Sequence, residues 1–324
     1  MHARVAAAIG ASLALLANQP AGAADAWPAK PVRIIVPQAP GGQSDIFVRL
    51  FGNELSQRLG VPVVVENRAG GNTFIAVRGC TSAKDDHTFC VFYTDTTMVA
   101  NPLLLKDIPY DPDKDLMPIT PLFVSTQVVA VNAKLGVNSM QELVQASRRQ
   151  SGGLSYATPS HSLAIMYMEK FKREAGADLT YIPYKGGGEV VQAVVGGTTP
   201  VGFVSYVNVI PHVKSGQLKV LAVDSEQRFA SLPDVPTLKE AGYHYDRPRT
   251  VLGLFAPEGT PAAVVERMYR DSRAILDDAA FNRQHMVPAG LEVKDMAPSA
   301  FASHIRNDRS YAQVLVKEAG VQPQ

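Results

Sequence analysis

The sequence lacks the features that mark metal, nucleic-acid and membrane-surface proteins. It has only two cysteines in 324 residues, and its 31 Lys and Arg nearly balance its 30 Asp and Glu, for a net charge of +1. A near-neutral chain without a basic cluster does not have the electrostatic footprint of nucleic-acid binding. No histidine or further cysteine lies at metal-ligand spacing from Cys80 or Cys90, which argues against a metal site.

Common catalytic and nucleotide-binding motifs are also missing. There is no G-x-G-x-x-G motif and no Walker loop, and residues 185–188 have the residue types of such a loop in the wrong order. A G-x-S-x-G elbow and an H-E-x-x-H pair are absent as well. His161 could act as a general base, but no nucleophile motif accompanies it. We therefore expect no cofactor, no metal and no enzymatic activity.

The first 24 residues have the three parts of a secretory signal. His2 and Arg4 form a short polar start, residues 5–16 are apolar, and residues 21–24 are small. Twelve apolar residues are too few to cross a bilayer, which takes about 20. We expect residues 1–24 to be a signal peptide that is cleaved after Ala23 or Ala24.

The predicted export bears on whether the two cysteines form a disulfide. In an oxidising compartment Cys80 and Cys90 could pair as a disulfide, since disulfides persist there. They could equally be two buried thiols. The sequence leaves both possibilities open.

Apolar runs alternate with segments of helical periodicity along the mature chain. Residues 32–36 predict a buried strand, and apolar positions at 48, 51, 55 and 59 predict a helix that ends at Gly60. Further strands are expected at 61–65, 89–93, 154–157, 179–183, 201–205, 218–223 and 251–256, with helices around 72–77, 163–171, 190–195, 261–276, 298–307 and 309–318. Such alternation is typical of an α/β protein with doubly wound parallel sheets.

The α/β segments form two series. Residues 128–131 separate them and residues 251–255 close the second one, which predicts two αβα lobes joined by two crossing strands. We expect lobe one to comprise residues 25–125 and 250–324, and lobe two residues 126–249. In sheets of this kind ligands bind beyond the carboxyl ends of the strands.

Two loops after predicted strands are suited to binding an anion. Gly41 and Gly42 let the backbone approach a ligand, and the following helix begins near Ser44 and Asp45. A second loop contains hydroxyl groups at the start of another helix, from Thr158, Ser160, His161 and Ser162. In both loops the polar side chains could instead serve only as helix caps.

Several short segments resemble one family in order along the chain. Residues 27–37, the Pro40-Gly41-Gly42 turn and Asp45 resemble the start of the extracytoplasmic solute receptors of tripartite tricarboxylate transporters, also called Bug receptors. Further matching segments are residues 64–68, 101–102, 108–112, 183–186, 211–216, 232–237, 240–242 and 256–261.

The resemblance implies a periplasmic-binding-protein-like fold with a ligand cleft between two lobes. It implies a monomer in the periplasm that captures a small carboxylate and passes it to integral-membrane permease subunits. The family's ligand contacts, carried over to this sequence, fall on Gly41, Gly42, Asp45 and Thr94.

The chain departs from the family pattern in lobe two. The loop at 158–162 has lost its glycines, and Ser205 followed by Tyr206 stands where an aspartate is common. Loss of an acid removes a partner for a ligand amine, and the tyrosine adds a stacking surface. We therefore expect an organic carboxylate without an amino group, either aromatic or dicarboxylic. The alternatives are a receptor that signals through a membrane sensor kinase, and a secreted hydrolase.

Overall fold

The computed structural model describes residues 27–159, 163–184, 186–229, 231–243 and 249–318. The predicted signal peptide therefore lies outside the described residues, and so do Ser160, His161 and Ser162. The helices in the described part of the chain are all too short or too polar to cross a membrane.

Strands and helices alternate through most of the chain. The strands are β1 (Val32–Val36), β2 (Val63–Asn67), β3 (Thr88–Tyr93), β4 (Leu116–Ser125), β5 (Gln127–Asn132), β6 (Leu154–Pro159), β7 (Leu179–Tyr184), β8 (Val201–Ser205), β9 (Leu218–Val223), β10 (Thr250–Pro257) and β11 (Leu291–Glu292). The helices are α1 (Gln43–Leu59), α2 (Phe74–Thr81), α3 (Asn101–Leu104), α4 (Met140–Arg149), α5 (Ala164–Ala175), α6 (Gly187–Gly196), α7 (Tyr206–Lys214), α8 (Ala262–Leu276), α9 (Ala279–Phe281) and α10 (Pro298–Glu318).

Helix α1 shows how local sequence sets the element boundaries. Its apolar residues Val48, Phe51 and Leu55 are fully buried, so one face of the helix packs on the sheet. The helix ends where Gly60 adopts a left-handed conformation with φ 73°. Glycine reaches this conformation without a steric penalty, and it is a common way to end a helix.

The strands form two sheets. The first sheet has the order β11-β4-β10-β3-β1-β2, and the second has the order β7-β6-β8-β5-β9. The chain passes from the first sheet to the second between Ser125 and Gln127, and it returns at Thr250. The second sheet is thus built from a continuous segment inserted into the first.

The predicted α/β architecture is confirmed, with one difference: each sheet is mixed, with antiparallel strands beside the parallel ones. Strand β1 pairs in parallel with β2 and β3, and β6 pairs in parallel with β7 and β8. Strands β10 and β5 are antiparallel to their neighbours. The difference has a physical reason: β10 and β5 enter their sheets from the other half of the molecule rather than through a helical crossover.

Cys80 in α2 and Cys90 in β3 are joined by a disulfide with an Sγ–Sγ distance of 2.04 Å. Both residues are fully buried. The bridge ties the last turn of α2 to a central strand of the first sheet. It is the first of the two possibilities that the sequence leaves open.

Apolar clusters cover both faces of each sheet. One cluster on the first sheet includes Val77, Phe255 and Phe301. Leu163 follows β6 of the second sheet, yet it is buried in this same cluster with 2% of its surface exposed. The two halves of the molecule are therefore in apolar contact beside the loop that follows β6.

Candidate functional site

A cavity of about 620 Å³ lies between the two sheets. Residues at the end of β6 and at or just after the ends of β1, β3 and β8 line it, as expected for a site at the carboxyl ends of the strands. The first-sheet side of the wall includes Gln38, Gln43, Asn72, Thr73, Tyr93, Asp95 and Thr96. The second-sheet side includes Pro159, Gly186, Gly187, Ser205 and Asn208, and the crossing strands add Ser125, Gln127 and Thr250.

The wall consists mainly of amides, hydroxyls and backbone. Asp95 is the single carboxylate in the described part of the wall, and no lysine, arginine or histidine of the described residues lines it. Three of the described helices begin at the cavity, because Gln43 starts α1, Gly187 starts α6 and Ser205 precedes α7. Helix N-termini present unpaired N–H groups and a partial positive charge, so this wall can hold an anion without a cationic side chain.

Ser44 and Asp45 organise the loop between β1 and α1. The Asp45 carboxylate accepts hydrogen bonds from Gly41 N and Asn67 Nδ2, both at 2.8 Å, and it pairs with Arg49 at 2.9 Å. Ser44 Oγ donates to Gln38 Oε1 at 2.6 Å. Both side chains are buried and face the loop, so they shape the cavity wall from behind.

The charge of Asp45 is stabilised by these partners. Burial alone would raise the pKa of this carboxyl, but hydrogen bonds from Arg49, Gly41 and Asn67 hold the pKa below its ordinary value. Asp45 is therefore ionised at neutral pH, and its oxygen atoms are already engaged by the protein.

Glycine is favoured at two positions of this loop, at one by the backbone conformation and at the other by lack of space for a side chain. Gly41 has φ +83°, which disfavours any other residue. At Gly42 a Cβ atom would lie 2.8 Å from Gln38 Oε1, the atom that holds Ser44. The residues after β1 that reach the cavity are Pro37, Gln38 and Gln43, and the two glycines hold them in place.

Thr94 and Thr158 stand next to the cavity at the ends of β3 and β6. Each hydroxyl is buried, and neither has a hydrogen-bond partner among the described residues. Their chain neighbours Asp95 and Pro159 line the cavity. A buried hydroxyl normally has a hydrogen-bond partner, so these two hydroxyls are candidates for hydrogen bonds to a ligand in the cavity.

Ser205 and Tyr206 lie in different environments. Ser205 lines the cavity, and its Oγ is 2.7 Å from Ser125 Oγ, so a hydrogen bond joins the ends of β8 and β4. The Tyr206 ring instead packs on Phe229 with 5.1 Å between ring centroids, and its hydroxyl is 3.3 Å from Ser231 Oγ. Among the described residues of the cavity wall, the aromatic side chain is that of Tyr93.

Asp95 gives the cavity one negative charge. Its Oδ2 accepts a hydrogen bond from Thr250 Oγ1 at 3.0 Å. Burial, and then the charge of Asp95, raise the pKa of Asp308 in α10 to about 7. His304 contacts Asp308 at 3.5 Å, but burial lowers the pKa of this histidine, so the contact does not behave as an ordinary ion pair.

Sequence reasoning located the right loops but missed several residues of the wall. Gln43 lies inside the predicted loop and Tyr93 ends a predicted strand, so the strand-end rule could have found both. Ser125, Gln127 and Thr250 come from the crossing strands, where only the pairing of the sheets brings them together. No group of three metal-ligating side chains occurs among the residues that the structure describes.

Two curated relatives match nearly the whole chain. A UPF0065 protein of Bordetella bronchiseptica is 33% identical over 97% of this chain and 92% of the relative. Protein BugT of Bordetella pertussis is 31% identical over 86% of each chain.

Solved structures of the same architecture cover about nine-tenths of the chain. A periplasmic transporter is 33% identical with a TM-score of 0.82, over 92% of this chain and 99% of that one. Rpa4515 of R. palustris with adipate has a TM-score of 0.84 at 25% identity, covering 92% and 100%. MatC of Rhodopseudomonas palustris with bound malate has a TM-score of 0.77 at 27% identity, covering 90% and 100%.

A family model, described as the tripartite tricarboxylate transporter family receptor, matches residues 47–321. The match spans the second sheet, all strands of the first sheet except β1, and most of the cavity wall. Together with the relatives, it confirms the resemblance read from the sequence and the periplasmic-binding-protein fold that the resemblance implies. The chain belongs to the tripartite tricarboxylate transporter family of solute receptors.

Proposed function

We propose that this protein captures a small organic dicarboxylate in the periplasm and passes it to the integral-membrane permease subunits of a tripartite tricarboxylate transporter. The observation that carries the proposal is a cavity between two sheets whose described wall offers neutral donors and three helix starts. Solved relatives with this architecture hold adipate and malate, which are both dicarboxylates.

The binding mode follows from the composition of the wall. Backbone N–H groups at the start of α6 and α7, together with side-chain amides and hydroxyls, donate to the ligand carboxylates. On the side of the first sheet, the ligand contacts that we propose are Gly41, Gly42, Ser44, Asp45 and Thr94. On the side of the second sheet, we propose Thr158, Ser160, His161, Ser162 and Ser205. With Tyr206 packed on Phe229, a dicarboxylate is better supported than an aromatic acid.

We assign residues 25–125 and 250–324 to lobe one and residues 126–249 to lobe two. The membership of the two sheets supports this division. Closure of the lobes around the ligand would exclude water and strengthen the hydrogen bonds to it. In this assignment the protein is a monomer without catalytic activity, and residues 1–24 are its signal peptide.

A thermal-shift screen of the mature protein tests the proposal. The panel pairs malate with succinate, adipate with hexanoate, and aspartate with benzoate. Binding to the native state raises the melting temperature by mass action, so we expect adipate or malate to raise it and hexanoate to have little effect. Absence of any shift with all the acids, or turnover of an ester substrate, would refute the proposal.

Transport and sensing are separated in the producing strain. Deletion of the gene should abolish uptake of the acid that binds, while induction of genes by that acid persists. Loss of induction with normal uptake would instead assign the protein to a sensor pathway.

A further inference from the structure

In the side-chain amide of Gln43, the oxygen atom has a hydrogen-bond partner, whereas the nitrogen atom has none among the described residues. Gln43 is the first residue of α1 and lines the cavity. Its Oε1 accepts a hydrogen bond from the Tyr93 hydroxyl at 3.2 Å. Its Nε2 is buried and has no hydrogen-bond partner among the described residues. A buried donor without a partner costs free energy, so such groups in native proteins need an explanation.

Tyr93 fixes the orientation of this amide. Its ring packs edge-on against Phe123 with 6.3 Å between centroids, which holds the hydroxyl in place. Burial, and then the charge of Asp95, raise the pKa of Tyr93, so the phenol keeps its proton at neutral pH. The phenol therefore donates, the amide oxygen accepts, and the Nε2 hydrogens remain for another acceptor.

A ligand that carries a hydrogen-bond acceptor can satisfy the Nε2 donor of Gln43. Because no cationic side chain of the described residues lines the wall, an anionic ligand depends on N–H and O–H donors of this kind. A carboxylate oxygen is a strong acceptor for an amide N–H.

We infer that Gln43 is a specificity-determining residue that donates from Nε2 to a ligand carboxylate, and that Tyr93 is its positioning residue. The inference rests on the proposed function and goes beyond it, because it assigns ligand selection to a side chain and not only to loop backbone. Gln43 thus selects for an acceptor at the α1 side of the cavity. Its Nε2 donor has no protein partner among the described residues and is therefore available to a ligand acceptor.

Isothermal titration of adipate and malate into the mature protein and three variants tests the inference. Gln43→Leu removes the donor and should weaken binding about 10-fold, and Gln43→Glu places an anion there and should weaken it about 100-fold. Tyr93→Phe should weaken binding less, and adding it to Gln43→Leu should cause no further loss, since the phenol acts only through the amide.

Two controls separate a binding role from a structural one. Gln57→Glu makes the same change at an exposed position of α1 and should leave binding unaltered. The melting temperature of the ligand-free double variant, Gln43→Leu with Tyr93→Phe, should be close to that of the wild type, because it removes both partners of the hydrogen bond and leaves no buried phenol without an acceptor.

The outcomes distinguish this inference from the proposed function. If the wild type binds adipate or malate and Gln43→Leu binds as tightly, Gln43 has no role in selection and the inference fails alone. A much lower melting temperature of the ligand-free double variant would also overturn it, since the amide would then be structural. If the wild type binds neither acid, the proposed function fails first.

Discussion

The two terminal nitrogens of Arg249 donate to the two carboxylate oxygens of Glu292, at 2.8 Å and 2.7 Å. Arg249 precedes β10, Glu292 ends β11, and the same guanidinium donates to Thr126 Oγ1 at 3.2 Å. Asp224, which follows β9 of the second sheet, is 3.8 Å away. Arg249 therefore connects both sheets at the point where the chain crosses between them.

Loss of Glu292 should destabilise the protein strongly. Only 15% of the Arg249 side chain is exposed, so Glu292→Ala leaves a largely buried cation without its bidentate partner. We expect the free energy of unfolding to fall by about 3 kcal/mol in urea titrations. Glu66→Ala is the control: the Glu66 pairs with Arg33 and Arg68 are about one-third exposed, so the loss should be below about 1 kcal/mol.

The pair also predicts a response to acid. Burial would raise the pKa of Glu292, but Arg249 holds the pKa below its ordinary value of 4.5. The stabilisation is therefore present above pH 4.5 and is lost as the pH falls through the lowered pKa. Glu292→Gln should flatten this acid limb of the stability profile, and a profile parallel to that of the wild type would contradict the assignment.

Asp308 should impose the opposite pH dependence. Its pKa is raised from 3.8 to about 7, so the folded state holds a proton that the unfolded state releases. Stability should therefore fall as the pH rises from about 4 through 7. We expect Asp308→Asn to be more stable than the wild type at pH 8 by roughly 2–4 kcal/mol, and to differ little at pH 4. Urea unfolding across this range measures it, with the exposed Asp107→Asn as the matched control.

Asp45 should affect ligand binding through the shape of its loop. Asp45→Ala leaves Gly41 N and Asn67 Nδ2 without their acceptor, which should cost about 1–3 kcal/mol of stability and also weaken ligand binding. Arg49→Ala removes only an exposed partner and should change both quantities slightly. If Asp45→Ala weakened binding while stability stayed constant, direct contact with the ligand would be indicated instead.

Leu163 should control closure without touching the ligand. It is buried among side chains of the first sheet's half, so Leu163→Ala removes apolar contact between the two halves. We expect ligand affinity to fall about 10-fold because the closed form loses stability. Leu143→Ala empties a buried position within the second half alone, and it should lower the melting temperature while affinity is kept. Equal affinities for both variants would exclude this role.

The α/β pattern and the position of the cavity could be predicted because both depend on local periodicity. Strand β1, helix α1 and the end of β3 lie where the spacing of apolar residues predicts them. Strand β4 and helix α7 were not predicted. Strand β4 contains two prolines and α7 contains Pro211, and proline is unusual inside strands and helices. The long helix α10 was expected as two shorter helices.

The composition of the cavity wall could be predicted less well, since it depends on contacts distant in sequence. Ser125 and Ser205 meet 80 positions apart, and Asp95 and Thr250 meet 155 positions apart. The orientation of Tyr206 was equally hidden, because it depends on Phe229. A strand-end residue can be assigned to an edge of a sheet from sequence, but the direction of its side chain is set by tertiary packing.

The placement of β10 has a consequence for how the chain can fold during synthesis. This strand lies between β3 and β4 in the first sheet, although more than a hundred residues separate it from either one along the chain. Until residues 250–257 emerge, the earlier strands of that sheet have a gap at its centre and an unpaired edge on each side. The second sheet, being contiguous, can form first. The first sheet closes late, so the chain stays incompletely folded for most of its translation.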